Sequence, residues 1–308
     1  MTIMSQNVTY DYKMKEGVRV KVLSLFDGIS CARVALERAG IQVDEYHAYE
    51  IDKYAIQVSR RNYPDIIHHG DVTVADFTEY RGIDLLMGGS PCQSLSIVQS
   101  KTRQHLSGKS KLFFEFVRAL EEARPRWFLF ENVASMNAES KAVISSLLGC
   151  DPVFVDSASF SAQSRPRFYW TNIPLGKVPE SSPLALRDIM QPASEIAPRY
   201  WYNHPLEDVD MSKQICAKMI HKNHEIHRRI FNPAFKCHTL TTCGGGNTQK
   251  KVMQEGRARK LTPLEYERLQ TLPDYYTVGI SDSRRYTAIG NGWTVDVIAW
   301  ILGGLALK

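Results

Sequence analysis

At 308 residues the chain exceeds the usual size of one hydrophobic core, so a large domain with a smaller companion is expected. Hydrophobic residues make up 44% and charged residues 23%, the balance of a globular chain, and no continuous apolar run in the sequence reaches the length of a bilayer-spanning helix. The formal charge is +5, and six cysteines are scattered without a CxxC pair, which argues for free thiols in a reducing compartment and against a disulfide framework.

The first 17 residues read as a polar N-terminal extension with no secretory signal, so a cytoplasmic address is expected. Residues 18–25 are rich in β-branched and aliphatic side chains and end in FDGIS (26–30), after which 32–39 reads as a helix stopped by Gly40. A second strand is expected over 46–51, ending in acids, and a third over 83–87, ending at Gly88 and Gly89. A fourth is expected over 127–130, ending at Glu131 and Asn132. Helices fall between them: 53–62, and a segment whose apolar face is marked by Leu112, Phe113, Phe116, Val117 and Leu120. This alternation predicts an α/β fold, a Rossmann-like doubly wound sheet that is mainly parallel, with ligands at the carboxyl ends of the strands.

A further strand is expected over 168–173. The sequence then becomes Pro-rich and polar to about Gly256, which predicts a smaller domain over 176–256 inserted between 18–175 and 257–308. Regular structure returns at Thr262-Pro263-Leu264-Glu265, a capping box with proline at the first helical position, and 295–307 reads as a final docking helix.

Charge is unevenly spread. Between Met211 and Lys260 there are eleven Lys or Arg residues against two acids, Glu225 and Glu255. One such run is ordinarily a solvated face, but 93–111 carries Lys101, Arg103, Lys109 and Lys111 with no carboxylate, and two basic stretches point to a bound polyanion.

The loops after the strands hold the chemistry. FDGIS lacks the spacing of a dinucleotide GxGxxG, yet a glycine turn lets backbone amides approach a ligand. Glu50 is placed to accept from ribose hydroxyls and Asp71 from an adenine amino group, so an adenosyl ligand is expected. GGSPCQSLS (88–96) puts Cys92 just beyond a buried strand. Glu131 stands after the neighbouring strand, and Gln163-Ser164-Arg165-Pro166-Arg167 precedes another. A thiolate, a carboxyl and guanidinium groups at adjoining strand ends suit attack on an electron-poor ring.

Seven motifs stand in the order FDGIS, YEID (49–52), GDV (70–72), GGSPCQS, ENV (131–133), QSRPR and IGNGWTVDVI (289–298). In that order the chain resembles the DNA cytosine-5 methyltransferases, nearest to the catalytic domain of the animal de novo enzymes, and a prokaryotic or phage member is expected. The resemblance implies S-adenosylmethionine as cofactor, double-stranded DNA as partner, and a flipped target cytosine. It assigns Cys92 to attack on ring carbon 6, Glu131 to nitrogen 3 and the exocyclic amine, Arg165 to the 2-carbonyl oxygen, and Arg167 to support of Glu131 or the cysteine loop. For the cofactor it implies Phe26 and Ile51 on the adenine faces, Glu50 on the ribose, and Asp71 and Val72 at the adenine edge. The rest of the wall is expected from Asp27, Gly28, Ile29, Ser30, Gly89, Pro91, Leu112, Asn291, Gly292 and Trp293. Two departures fall here: Ser30-Cys31 stands where many members have a second glycine, and Gly292-Trp293 replaces the commoner Ser-Val.

The inserted domain is expected to recognise the target. Its loop 238–248 combines hydroxyls with a glycine triplet, so Thr239, Thr241, Thr242, Gly244, Gly245, Gly246, Asn247, Lys250 and Lys251 are expected to contact DNA, with Gln93, Ser96, Lys101 and Arg103 from the cysteine loop. Cys237, His238 and Cys243, with His221, His224 and His227 nearby, match no common zinc spacing, so no metal is expected. The transfer-RNA branch shares the chemistry but carries a Cys-Phe-Thr motif that is missing here, which favours DNA. No membrane association is expected, and a single copy is the expected unit.

Overall fold

The structure, a computed structural model, describes residues 17–90, 111–220, 224–243 and 248–307. The first apolar run forms β1 (Arg19–Leu25), buried from Val22 onward. The loop after it has positive φ at Phe26, Gly28 and Ser30 (58°, 59° and 60°) and leads into α1 (Cys31–Arg38). β2 (Gln42–Tyr49) starts four residues earlier than expected and stops before Glu50. Its polar half is held by cross-strand ion pairs, Arg19 with Asp44 and Lys21 with Glu45, which apolar periodicity does not register. α2 (Lys53–Asn62) is capped by Asp52, whose carboxylate accepts from the Tyr54 amide at 2.8 Å. β3 (Ile67–His68), β4 (Leu85–Gly88), α3 (Lys111–Ala123) and β5 (Trp127–Val133) complete the first half.

α4 (Ala138–Leu148) and β6 (Val153–Asp156) were not anticipated, although Asn137 and Gly149 bracket the helix as cap residues do. β7 (Gln163–Ser164) and β8 (Pro166–Thr171) follow. The main sheet has the order β3-β2-β1-β4-β5-β8-β6, in which β8 alone runs against its neighbours β5 and β6. It is the mainly parallel, doubly wound sheet that the alternation predicts. Strand order reverses between β1 and β4, so the 26–30 loop, Glu50 and the chain after Gly88 meet at one sheet edge. β5 does not end at Glu131. It continues to Val133 because β8 pairs with it, Glu131 opposite Tyr169 and Val133 opposite Arg167.

The inserted segment builds a second sheet from β9 (Leu206–Glu207), β10 (Ile215–Met219), β11 (Arg229–Phe231), β13 (Lys251–Gln254) and β14 (Arg257–Lys260), with the short helix α5 (Glu225–Arg228) before β11. Cys216, Ala217, Met219, Ile230, Met253 and Ala258 form its own small core. Glu255 and Gly256, both at positive φ, turn β13 into β14, so this sheet runs to Lys260, past the boundary expected at 256. β12 (Cys237–His238) leaves the insert and pairs in parallel with β7 of the large domain.

α6 (Pro263–Leu269) has the expected capping box: the Thr262 amide donates to Glu265 Oε2 at 2.7 Å and the Glu265 amide to Thr262 Oγ1 at 3.2 Å. α7 (Asp282–Asn291) and α8 (Val295–Gly303) close the chain. Asp282–Ala306 is apolar and long enough to cross a membrane by composition, but it is broken into two helices at Gly292 to Thr294, and α8 is buried in the core.

Glu265 also joins the two units. Both its oxygens receive the Arg259 guanidinium, at 2.6 and 2.8 Å, and both residues are fully buried. Removing one member of such a pair leaves an uncompensated buried charge. Arg259→Met is expected to cost about 3–5 kcal/mol in urea denaturation, and adding Glu265→Gln, which keeps the cap, to recover part of it. An Arg259→Met protein as stable as the parent would show the pair to be dispensable.

Candidate active site

Three strand ends build the first half of the site. Glu50 leaves β2 and its carboxylate accepts three amides at 2.8 Å, from Gly28 at Oε2 and from Ile51 and Asp52 at Oε1. A carboxylate offers about four acceptor positions, so one remains for a ligand hydroxyl. Gly28 has no neighbouring atom within 4 Å of where a side chain would stand, which leaves the turn open beside that carboxylate. Ile51 next to it is 75% exposed, an apolar face without cover, while Phe26 and Leu112 pack half-buried on one hydrophobic cluster. Asp71 is exposed and its Oδ1 accepts from the Thr73 amide and hydroxyl, both at 2.9 Å, which holds its carboxyl below the usual range.

Other residues expected on this wall turn away from it. Asp27 accepts from the hydroxyls of Ser24, Tyr46 and Ser30, and burial raises its pKa despite them. Ser30 is buried against Asp27 and Ser59, and the side chains of Ile29 and Val72 lie in the core. These four can offer only backbone to a ligand: Asp27, Ile29 and Ser30 turn inward in the left-handed 26–30 loop, and Val72 packs into the core after Asp71.

The second half centres on Glu131. Arg167 Nε lies 2.6 Å from Glu131 Oε1, and Trp293 Nε1 donates to Oε2 at 3.1 Å. Gly89, expected to line the cofactor, lies against this pair: a Cβ there would stand 2.8 Å from Glu131 Oε2 and 3.0 Å from Trp293 Nε1. Asn132 beside it is buried and its Nδ2 finds no partner among the described residues. Asn291 is exposed, and Gly292 is buried with Cys31 Sγ 3.0 Å from its missing Cβ. The two sequence departures are thus one steric arrangement, a sulfur filling the place of a side chain. Burial lifts the Cys31 thiol to about 12.

Arg165 does not face this carboxylate. Its guanidinium donates to the carbonyls of Leu240 at 3.0 Å, Gly290 at 3.1 Å and Gly292 at 3.0 Å, and the residue is only 5% exposed. Burial lowers its pKa to about 10. The expected contact with the base is therefore overturned: those donors already serve backbone carbonyls, and Arg167 is the guanidinium on Glu131. Cys92, Pro91, Gln93, Ser96, Lys101 and Arg103 lie outside the described residues, as do Gly244, Gly245, Gly246 and Asn247.

A family model, C-5 cytosine-specific DNA methylase, matches residues 20–170 and 182–306. The chain belongs to that family. It is a DNA (cytosine-5) methyltransferase whose methyl donor is S-adenosylmethionine. It is 25% identical to the type II methyltransferase M1.ScrFI of Lactococcus lactis subsp. cremoris, over 93% of this chain and 78% of that one. It is 26% identical to the type II methyltransferase M.HhaI of Haemophilus parahaemolyticus, over 94% and 95%. Among solved structures, a DNA modification methyltransferase encoded within an E. coli prophage superposes with a TM-score of 0.70 at 20% identity, covering 93% of this chain and 98% of that one. Spodoptera frugiperda DNMT2 superposes with a TM-score of 0.68 at 17% identity, covering 93% and 99%. The open turn at Gly28, the held carboxylate of Glu50 and the uncovered Ile51 fit an adenosyl group.

The segment expected to read DNA divides on inspection. Thr239 Oγ1 donates to the Ser164 carbonyl at 2.9 Å, and the Thr241 carbonyl crosses so close to Gly290 that a Cβ there would stand 2.3 Å from it. Both are anchors of the methyltransferase's insert on its large domain. Thr242 is half-buried and Lys250 lies over the Phe231 ring at 5.7 Å. Lys251 is no phosphate ligand. It is buried, and its ammonium donates to the carbonyls of His227 at 2.7 Å and Gln249 at 3.1 Å. Much of the basic run is neutralised by acids lying outside it: Lys213 by Asp210, Lys218 by Asp208, Arg228 by Glu207 and Arg259 by Glu265. Among the described residues no group of three or more His, Cys, Asp or Glu could hold a metal ion.

Sequence reasoning missed the polar core beneath the site. Gln163 and Gln270 are fully buried and bonded to each other at 3.1 Å, and Gln163 also accepts from the Leu240 amide at 2.8 Å. The glutamine of QSRPR was the available signal.

Two outcomes follow. Gly89→Ala must displace Glu131 or Trp293, so kcat is expected to fall about 10- to 100-fold with the far-ultraviolet circular dichroism unchanged; an unaltered kcat would place Gly89 away from the chemistry. Burial also lowers the Lys251 pKa from 10.5 to about 8. Its folded value lies below its unfolded one, so across that interval the unfolded chain keeps a proton that the folded chain has lost, and stability rises with pH. Urea denaturation near about pH 7.5 and about pH 10 is expected to show the parent gaining on Lys251→Met, whereas a constant difference would mean an ordinary lysine.

Proposed function

We propose that Cys92 is the nucleophile, that Glu131 and Arg167 hold the target cytosine, and that the inserted sheet with the 238–251 segment reads the DNA. The observation that carries this reading is the Glu131 carboxylate, oriented by donors on both oxygens, 12% exposed, and packed under Gly89 three residues before Cys92. Cys92 adds as a thiolate to ring carbon 6 of a flipped cytosine. Glu131 hydrogen-bonds nitrogen 3 and the exocyclic amine, and Arg167 beside it offsets the charge that gathers on the ring. Carbon 5 becomes nucleophilic. S-adenosylmethionine supplies an electrophilic methyl group on its sulfonium. The proton on carbon 5 then passes to solvent water, and the electron pair it leaves expels the sulfur from carbon 6, restoring the thiolate and the aromatic ring.

For the cofactor, Glu50 takes the ribose, Asp71 the adenine amino group, and Phe26, Ile51 and Leu112 the apolar faces. For DNA, Lys250, Arg257 and Lys260 remain without an ion-pair partner among the described residues, and with Thr242 they supply phosphate and base contacts. The named relatives come from bacteria and a Bacillus phage, the orphan methyltransferase M.Rho11sI of phage rho11s matching at 37% identity over 38% of this chain and 24% of that one. That source supports a bacterial cytoplasm as the place of action, in modification of host or phage DNA.

A duplex carrying 5-fluorocytosine tests the assignment, because the fluorine on carbon 5 cannot leave as a cation in the way a proton does, and the enzyme stays bound through sulfur. The parent is expected to form a denaturant-stable adduct when cofactor is present, Cys92→Ser none, and Arg167→Met a slow one. An adduct with Cys92→Ser would move the nucleophile elsewhere.

A further inference from the structure

We infer that Trp293 is a positioning residue for Glu131, and that Arg165 acts on the reaction through Trp293 and not through the base. The inference rests on the assignment of Glu131 to the cytosine ring. Trp293 Nε1 donates to Glu131 Oε2 at 3.1 Å while Arg167 Nε holds Oε1 at 2.6 Å, so each carboxylate oxygen has one donor. The indole cannot drift toward β4, because Gly89 closes that side.

What fixes the tryptophan is its backbone. The carbonyl of Gly292 accepts from Arg165 Nη2 and from Gln270 Nε2, both at 3.0 Å, and the hydroxyl of Thr294 donates to Gln270 Oε1 at 2.8 Å. The residues on both sides of Trp293 are therefore bonded to buried side chains, and Arg165 also takes the Gly290 carbonyl at the end of α7. The two arginines of QSRPR thus grip one carboxylate from opposite sides, Arg167 directly and Arg165 through Gly292 and Trp293. The strand boundary explains why: Arg165 lies between β7 and β8, outside the pleat, and only Arg167 is on the strand paired with β5.

Two donors, one on each oxygen, fix the plane in which the Glu131 carboxyl meets the ring edge of the flipped base, where ring nitrogen 3 accepts and the exocyclic amine donates. Losing the indole N–H leaves one oxygen unheld and the carboxyl free to turn.

The test is Trp293→Phe, which keeps an aromatic wall and removes the donor, measured beside Glu131→Gln and Arg165→Met on the full chain with S-adenosylmethionine and duplex DNA. Trp293→Phe is expected to lower kcat about tenfold, the size of one hydrogen bond to a charged group, with little change in the Kd of S-adenosylhomocysteine by calorimetry. The loss is expected in kcat with the KM for DNA unchanged, a split that loss of packing alone would not give. Arg165→Met should show the same split, and Trp293→His, which returns a ring N–H, should recover part of kcat. Weakened cofactor binding with kcat unchanged at saturating cofactor would make Trp293 a cofactor wall only and overturn the inference. Should Glu131→Gln retain full kcat, the assignment of Glu131 itself falls and the inference with it; an inactive Glu131→Gln beside a fully active Trp293→Phe sinks the inference alone.

Discussion

The antiparallel pairing of β5 with β8 is the constraint on which the site depends. In an otherwise parallel neighbourhood it sets Val133 opposite Arg167 and Glu131 opposite Tyr169. Arg167 is thereby one diagonal step from Glu131, the spacing at which long side chains on one face of a sheet meet. A carboxylate at the crevice edge needs partners that hold it without removing it from a ligand, and a strand reversed at this point brings one from the far side of the sheet. The same reversal makes β8 begin at the edge where the β1 loop and Glu50 stand, so both halves of the site share one scaffold.

A buried polar layer then ties the insert to this scaffold. Gln163, Arg165 and Gln270 serve carbonyls and amides at Leu240, Leu269, Ile289, Gly290 and Gly292, places where the chain leaves or enters regular structure. Unpaired backbone groups there would each cost desolvation energy, so long side chains with several donors are suited to the task. One consequence is functional. The segment proposed to read DNA is rooted in the layer that also fixes Trp293, so base recognition and the Glu131 carboxylate rest on common supports.

The electrostatics of the insert carry a related lesson. In the run of eleven cations against two acids, Lys213, Lys218, Arg228, Arg229 and Arg259 form ion pairs, and Lys236 and Lys251 donate to backbone carbonyls. Among the described residues what remains is a small set of cations seated over aromatic rings: Lys250 on Phe231, Arg257 on Trp201 and Lys260 on Tyr200. A ring face stabilises a cation without neutralising it, which leaves its charge available to a polyanion.

The amino-acid sequence by itself determined the alternation of strands and helices from β1 to β5, the capping box at Thr262, the glycine turn after β1 and the family motifs in their order. Each of these is written in short-range signals: periodicity, turn residues and caps act within a few positions. It also placed Glu50 and Asp71 at strand ends, since a strand's end is a local event. Tertiary structure alone decided which arginine reaches Glu131, that Trp293 is its second partner, that Asp27 and Ser30 face inward, and that Lys251 is buried. Those outcomes depend on strand register and on contacts between residues far apart in sequence, Trp293 with Glu131 being 162 positions apart. A side chain's direction follows from the packing around it, and no local pattern encodes that.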